Sequence, residues 1–231
     1  QAVAEAIAFR PDLVVDVFAT NAALDRHTDL ARASAAVGIS IERVAPGVIE
    51  AMADTVTPQG VVAVAAQFTS TLAEVVAAKP RLVAILEEVR DPGNAGTILR
   101  AADAAGADAV IFSGKSVDPY NPKVVRSTTG SMFHVPIVSG VDLDEVVAAM
   151  HDAGLTVIAA DVKGDDLLEH RAVLQLPTAW LFGNEAHGLD DAQLAKADRA
   201  LRLPIFGRAE SLNLATAASV CLYESAFAQR G

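Results

Sequence analysis

Four stretches of the sequence concentrate residue types that bind polar ligands or move protons. The first is Glu88-Val-Arg-Asp-Pro-Gly-Asn-Ala-Gly-Thr-Ile-Leu-Arg100. Pro92 presets its own φ and Gly93 permits a positive one, so Asp91-Pro92-Gly93 reads as a turn. Asn94 is placed to cap a following helix, and Gly96 allows a close backbone approach. Arg100 follows Asn94 by less than two helical turns. Both side chains can then reach the edge of a sheet where strands end and helices begin, which is where open α/β sheets bind ligands. The plainer reading is a capped loop with a surface arginine.

The second stretch, Asn121 to Ser131, sets Lys123 and Arg126 three residues apart, on one face if the segment is helical. With Ser127, Thr128, Thr129 and Ser131 they form a phosphate-contacting surface or, alternatively, a solvated helix end. In the third, Trp180-Leu-Phe-Gly-Asn-Glu-Ala-His-Gly-Leu189, a strand runs into Gly183 and the loop closes at Gly188. The two glycines free the backbone to bend around a ligand, and Asn184 and Glu185 sit at the strand's carboxyl end. His187 beside a glycine reads as a loop hydrogen-bonder, not a base. The fourth runs from Leu203 to Thr216. A short apolar strand over Leu203–Ile205 meets a loop containing Gly207. Ser211 can cap a long helix, with Asn213 in its first turn, and free N–H groups there suit a polar or anionic ligand edge. An ordinary loop with a capped helix fits the same residues.

These segments need a scaffold. Short β-branched runs at Leu13–Phe18, Val61–Ala65, Leu82–Leu86, Ala109–Phe112, Thr156–Ala160 and Ala179–Phe182 read as buried strands. Amphipathic stretches such as Ala95–Ala105, Leu143–Ala153 and Asp190–Ala197 read as helices. The alternation predicts an α/β fold with a largely parallel sheet. The segment Leu212–Gln229 lacks Gly and Pro and reads as a long helix. A boundary falls near Phe68–Pro80, where Thr69–Thr71 open a connecting helix and Lys79-Pro80 ends it. The expected organisation is residues 1–68 as a small α/β domain, 69–80 as a linker and 81–231 as the motif-bearing domain.

Composition narrows the classes. Of 231 residues, 52% are apolar, an ordinary globular balance. No apolar run is long enough to span a bilayer, and Gln1–Phe9 lacks the basic start of a signal peptide. Cys221, the only cysteine, rules out an intrachain disulfide and a cysteine-rich zinc site; its apolar neighbours mark it as a small buried hydrophobe. A reducing cytoplasm fits. No dinucleotide-binding, Walker A or nucleophile-elbow signature occurs, nor any zinc spacing. The net charge of −11 argues against a general nucleic-acid binder. Residues 1–76 hold 4 basic and 9 acidic side chains and residues 77–231 hold 14 and 20, so anionic partners must meet a local basic patch. Arg10, Arg26, Arg32 and Arg43 are scattered among acids.

In this order and spacing the segments resemble the three motifs of the SpoU/TrmH branch of SPOUT methyltransferases. Asp91-Pro-Gly-Asn-x-Gly-x-x-x-Arg100 is similar to the first motif, and Leu181-Phe-Gly-Asn-Glu-x-x-Gly188 to the second. Leu203-Pro-Ile205 followed by Ser211-Leu-Asn-Leu-Ala215 is similar to the third. The resemblance runs from about Leu82 to the end of the sequence. Residues 1–66 more faintly resemble the small ribosomal-protein-like α/β substrate-binding domain of many members.

The resemblance implies a C-terminal trefoil-knotted domain whose loops hold S-adenosyl-L-methionine, lined by Gly183, Leu203, Ile205 and Leu212. It implies that Arg100 helps deprotonate a ribose 2′-hydroxyl of RNA. A guanidinium is protonated at physiological pH, so the RNA phosphate is implied to assist. Asn94, Glu185, Ser211 and Asn213 match supporting residues, and Lys123 and Arg126 match a basic stretch that contacts RNA. Arg90 and Arg208 are weaker additions. No metal is required, and members act as homodimers. Ribosomal RNA is the favoured substrate over transfer RNA, by analogy with the added domain. A knotted RNA-binding protein without catalysis and a small-molecule transferase are the competing readings. The set Arg100, Glu185, Ser211 and Asn213 speaks against the first, and Lys123 and Arg126 against the second.

Overall fold

The computed structural model describes residues 1–53 and 55–231. The chain divides into two compact units: residues 1–68 with 129–134, and residues 69–128 with 135–231.

The first unit is built on a three-stranded sheet. Strands β1 (Val14–Ala19) and β2 (Ile41–Arg43) run parallel, and β3 (Val61–Ala65) pairs antiparallel on the other side of β1. Helices α1 (Ala2–Phe9), α2 (Asn21–Arg26), α3 (Thr28–Ala36) and α4 (Pro46–Met52) complete it. Its core gathers Ile7, Val17 and Leu30, with Val3, Val14, Ile39, Ile41, Val61 and Ala63 packed around them. Segment 129–134 belongs here: His134 lies against Phe9 with ring centroids 4.3 Å apart, and Phe133 approaches Phe68 at 6.0 Å. Arg10 lies over the Phe68 ring, 5.0 Å from its centroid, a cation–π arrangement.

The second unit opens with α5 (Leu72–Ala77). Thr71 and Glu74 form a reciprocal capping box at its start. Next come β4 (Leu82–Glu87), α6 (Pro92–Ala105), β5 (Ala109–Ser113), α7 (Pro122–Ser127), β6 (Ile137–Val141) and α8 (Leu143–Asp152). The chain continues through β7 (Thr156–Asp166), β8 (Thr178–Phe182), α9 (Asp191–Leu194), β9 (Arg199–Arg202) and α10 (Leu214–Arg230). The six strands form one parallel sheet ordered β6-β5-β4-β8-β7-β9.

Strands β4, β5 and β8 are buried along their whole lengths, as a parallel sheet covered on both faces requires. Alternate residues serve opposite faces. Ala179 and Leu181 of β8 join the core beneath α8 with Ile85, Ile111 and Met150. Trp180 and Phe182 stack on the other face, and the Trp180 indole donates to Ser225 Oγ at 2.8 Å, fixing α10 on the sheet. The order in which strands are added switches sides at β4: β5 and β6 lie to one side, while β8, β7 and β9 lie to the other. The carboxyl ends of β4 and β8 therefore flank a topological switch point, the crevice such sheets offer to ligands.

Several local expectations need correction. Helix α6 begins at Pro92, a turn earlier than Ala95, because Asp91 caps it: its carboxylate accepts from Asn94 N at 2.7 Å. Asn94 is thus inside the helix, and Pro92 takes the first position, where its missing N–H costs nothing. Helix α10 begins at Leu214, capped by Asn213 and not Ser211. Strand β9 is Arg199–Arg202, and Leu203–Ile205 lies beyond it. Pro204 cannot donate to a ladder, while charged Arg199 and Arg202 hide the strand in the sequence. The helix expected over Asp190–Ala197 is the single turn α9. Among the described residues no helix is long and apolar enough to cross a membrane.

Candidate active site

Adjacent strands β4 and β8 deliver the first and second motif loops to one edge. The turn between β4 and α6 is tied to the loop after β8 by side chains of that loop. Asn184, 8% exposed, donates from Nδ2 to the Glu88 carbonyl at 2.8 Å and accepts from Ala186 N at 2.9 Å. The Glu185 carboxylate accepts from the backbone N–H groups of Arg90 at 3.2 Å and Asp91 at 3.0 Å. These bonds hold the entry to α6 although Glu88 sits at φ +52°, a left-handed conformation that disfavours a side chain. The loop closes on itself through two backbone hydrogen bonds between Asn184 and Gly188.

Two glycines permit close approaches here. A Cβ on Gly183 would lie 2.7 Å from the Gly188 carbonyl carbon and from Leu189 Cγ, so only glycine lets β8 enter the folded-back loop. A Cβ on Gly96 would lie 2.6 Å from Ser127 Cβ and 2.8 Å from the Val124 carbonyl oxygen, so Gly96 lets α7 pack against α6. Lys123 and Arg126 are both exposed on α7. Both lie within the helix Pro122–Ser127, three residues apart and so on neighbouring turn positions.

The third motif loop joins through one bond. Asn213 donates from Nδ2 to Asn94 Oδ1 at 3.1 Å, while its Oδ1 caps α10 by accepting from Ala215 N and Thr216 N. Helix α6 packs against both α7 and α10. Arg100 is exposed on α6 and makes no hydrogen bond or ion pair with the other described residues. Gly93, Thr97 and Arg100 are all exposed on one side of that helix. Helical side chains tilt toward the N-terminus, so the guanidinium has small neighbours on its way toward the Asn94 end.

Of the residues singled out in the sequence, the structure joins Asn94 to Asn213 directly and Glu185 to the turn before α6. Arg100 and Ser211 make no direct bond to these. Ser211 is exposed in the loop after β9. Leu203 is half-buried, whereas Ile205 and Leu212 are about 40% exposed. Two contributors escaped the sequence reading: Asp91 as the cap of α6, and Asn184 as the buried tie to Glu88. The Asp91-Pro92 pair was a usable signal for the first, since a capping residue before proline marks a helix start.

The fit of a nucleoside-bearing sulfonium can be judged from the same loops. Residues 204–212 make no turn, loop or cap hydrogen bond through their backbone among the described residues. Their N–H and C=O groups thus face a ligand or solvent beside the apolar side chains of Leu203, Ile205 and Leu212. Backbone donors with aliphatic surface suit an adenine ring. Cys221 takes no part: it is buried in α10, and desolvation pushes its thiol far above the usual range, the opposite of an activated nucleophile.

Comparison with known proteins agrees with this geometry. Residues 81–223 match the model of the SpoU rRNA methylase family, and residues 1–71 match that of the RNA 2′-O ribose methyltransferase substrate-binding domain. The chain belongs to the SpoU rRNA methylase family. It is 36% identical over 187 residues to the 23S rRNA (guanosine(2553)-2′-O)-methyltransferase RlmP of Bacillus subtilis, covering 80% of this chain and 72% of that protein. It is 30% identical over 227 residues to the 23S rRNA (guanosine-2′-O-)-methyltransferase RlmB of Bordetella pertussis, covering 96% and 92%. The crystal structure of the SpoU methyltransferase AviRb from Streptomyces viridochromogenes in complex with AdoMet superposes with a TM-score of 0.81 at 30% identity, covering 98% of this chain and 87% of that one. The chain spans less than two thirds of the length of some other curated relatives.

Proposed function

We propose that the protein transfers a methyl group from S-adenosyl-L-methionine to a ribose 2′-hydroxyl of RNA, with ribosomal RNA favoured over transfer RNA. The observation that carries this reading is the convergence of three motif loops at the β4–β8 switch point, beside an exposed arginine with no partner of its own among the described residues. The cofactor, when bound, supplies an electrophilic methyl group on a sulfonium. Gly183, Leu203, Ile205 and Leu212 hold it through backbone and aliphatic contacts. Arg100, free of internal ion pairs, is available to a phosphate and to the hydroxyl whose proton must leave. Asn94 and Asn213 fix the start of α6 against the start of α10, so that Arg100 and Ser211 face the same ribose. Glu185 steadies the turn from which α6 departs.

Lys123 and Arg126 take the RNA backbone on α7, a local basic surface on an acidic chain. Residues 1–68 select the RNA, and 81–231 form the catalytic domain, read as trefoil-knotted. The working form is a homodimer in the cytoplasm, with no metal in the reaction. The testing experiment is transfer of labelled methyl to unmethylated ribosomal and transfer RNA by wild type and Arg100→Ala. Label in a 2′-O-methylated nucleotide, lost in the variant, is expected. Cofactor binding without transfer to any RNA would refute the assignment.

A further inference from the structure

The loop between β9 and α10 carries a residue that neither the fold nor the motifs employ. Phe206 is 88% exposed. It follows Ile205 of the cofactor-lining set and precedes Ser211 and Asn213 of the catalytic set by a few positions. Gly207 next to it has open space around its Cα, so the ring stands on a backbone that nothing crowds. Arg208, also exposed, makes no ion pair or hydrogen bond with the other described residues; the nearest acid along the chain, Glu210, is not bonded to it. An exposed aromatic ring two positions from an unspent guanidinium is a combination that suits single-stranded nucleic acid, the ring stacking on a base and the cation meeting phosphate.

We propose that Phe206 stacks on an unpaired nucleobase of the RNA substrate, at or next to the methylated nucleotide, with Arg208 meeting the adjoining phosphate. The inference rests on the methyltransferase reading above. It is favoured by continuity: the ring lies on the same loop as residues assigned to both the cofactor and the ribose. A base held there is drawn out of its helix toward the site. Stacking needs a π face and no particular base edge, so Phe206 contributes affinity and placement while sequence selection lies elsewhere.

The test compares wild type, Phe206→Ala and Phe206→Trp, saturated with S-adenosyl-L-methionine, on unmethylated in vitro transcripts of 23S rRNA and a set of transfer RNAs. KM for RNA, kcat, cofactor affinity by calorimetry and molecular mass by light scattering are measured. Phe206→Ala is expected to raise KM for RNA about 5- to 100-fold, the range of a lost aromatic–base stack. Cofactor affinity and mass should be unchanged, and Phe206→Trp should restore KM. Wild-type KM in Phe206→Ala would overturn the proposal while leaving the methyltransferase reading intact. A drop in cofactor affinity would instead place the ring over the cofactor, and a change of mass would place it in a subunit contact; either also overturns it. If wild type methylates no RNA, both readings fall together.

Discussion

Asn213 and Asn94, 119 positions apart, are joined side chain to side chain at 3.1 Å, and the same Asn213 caps α10. One residue therefore starts a helix and ties it to another. Asn213→Ala should cost about 1 kcal/mol through the lost cap, read from urea unfolding. Asn94→Ala should cost less than about 0.5 kcal/mol, because Asp91 still caps α6 through the backbone of residue 94. In kcat the two should be non-additive, with a coupling of about 0.5–1.5 kcal/mol in a double-mutant cycle. Full additivity would mean that the bond does not organise the site.

Substitutions at Gly183 and Gly96 test the proposed cofactor and RNA contacts separately. Gly183→Ala forces a methyl against the Gly188 backbone, a strain of about 1–3 kcal/mol concentrated in the loop after β8. Cofactor affinity should fall at least tenfold. Gly96→Ala instead pushes α7 away from α6, moving Lys123 and Arg126. RNA affinity should fall while cofactor affinity holds. Equal losses of both in either variant would contradict this division.

The legible parts of the chain were those with strong local signals. Strands β4, β5 and β8 are dominated by apolar residues, and Gly96 marks a close approach that the structure contains. Strand β9 was hidden because three of its four residues look outward or are only half-buried, with Leu201 alone buried. Helix starts slipped where two capping residues compete within a few positions, as Asp91 with Asn94 and Ser211 with Asn213. Which one caps is settled by which side chain reaches the free N–H groups, a matter of backbone path and not of residue type. Asn184 reads as a residue at a strand's carboxyl end; its bond to the Glu88 carbonyl joins positions 96 apart, a pairing that no local pattern reveals.

That bond and the strain beside it give opposite expectations. Asn184→Ala removes the donor to the Glu88 carbonyl, and leaving that acceptor short should cost about 1–3 kcal/mol. Glu88→Gly, at φ +52°, relieves a left-handed side chain at a cost in unfolded-state entropy. Stability should be unchanged or raised by up to about 1 kcal/mol. Among the described residues the only ion pair lost is that with Arg90, whose side chain is well exposed and whose contribution is small. Thermal unfolding of the two variants beside wild type decides. A destabilised Glu88→Gly would show that the carboxylate, not the backbone geometry, matters at this turn.

Cys221 offers a pH test of the α10 packing. Burial pushes its thiol up, so the folded chain keeps the proton when the unfolded chain, near the ordinary thiol value of about 8.5, releases it. Ionisation then favours the unfolded state. The thiol's contribution is fully present below about pH 8.5 and is lost above it by about 1.4 kcal/mol per pH unit, until the folded-state value is reached. Cys221→Ala lacks this loss, while every other titrating group is common to both proteins. The gap in urea stability between wild type and Cys221→Ala should therefore shift toward the variant by about 1 kcal/mol or more between pH 8 and pH 10. Native wild type should also resist a thiol reagent at pH 8 until urea exposes the residue. A gap that stays constant with pH, or prompt labelling of the folded protein, would mean that α10 does not seal Cys221 against the sheet.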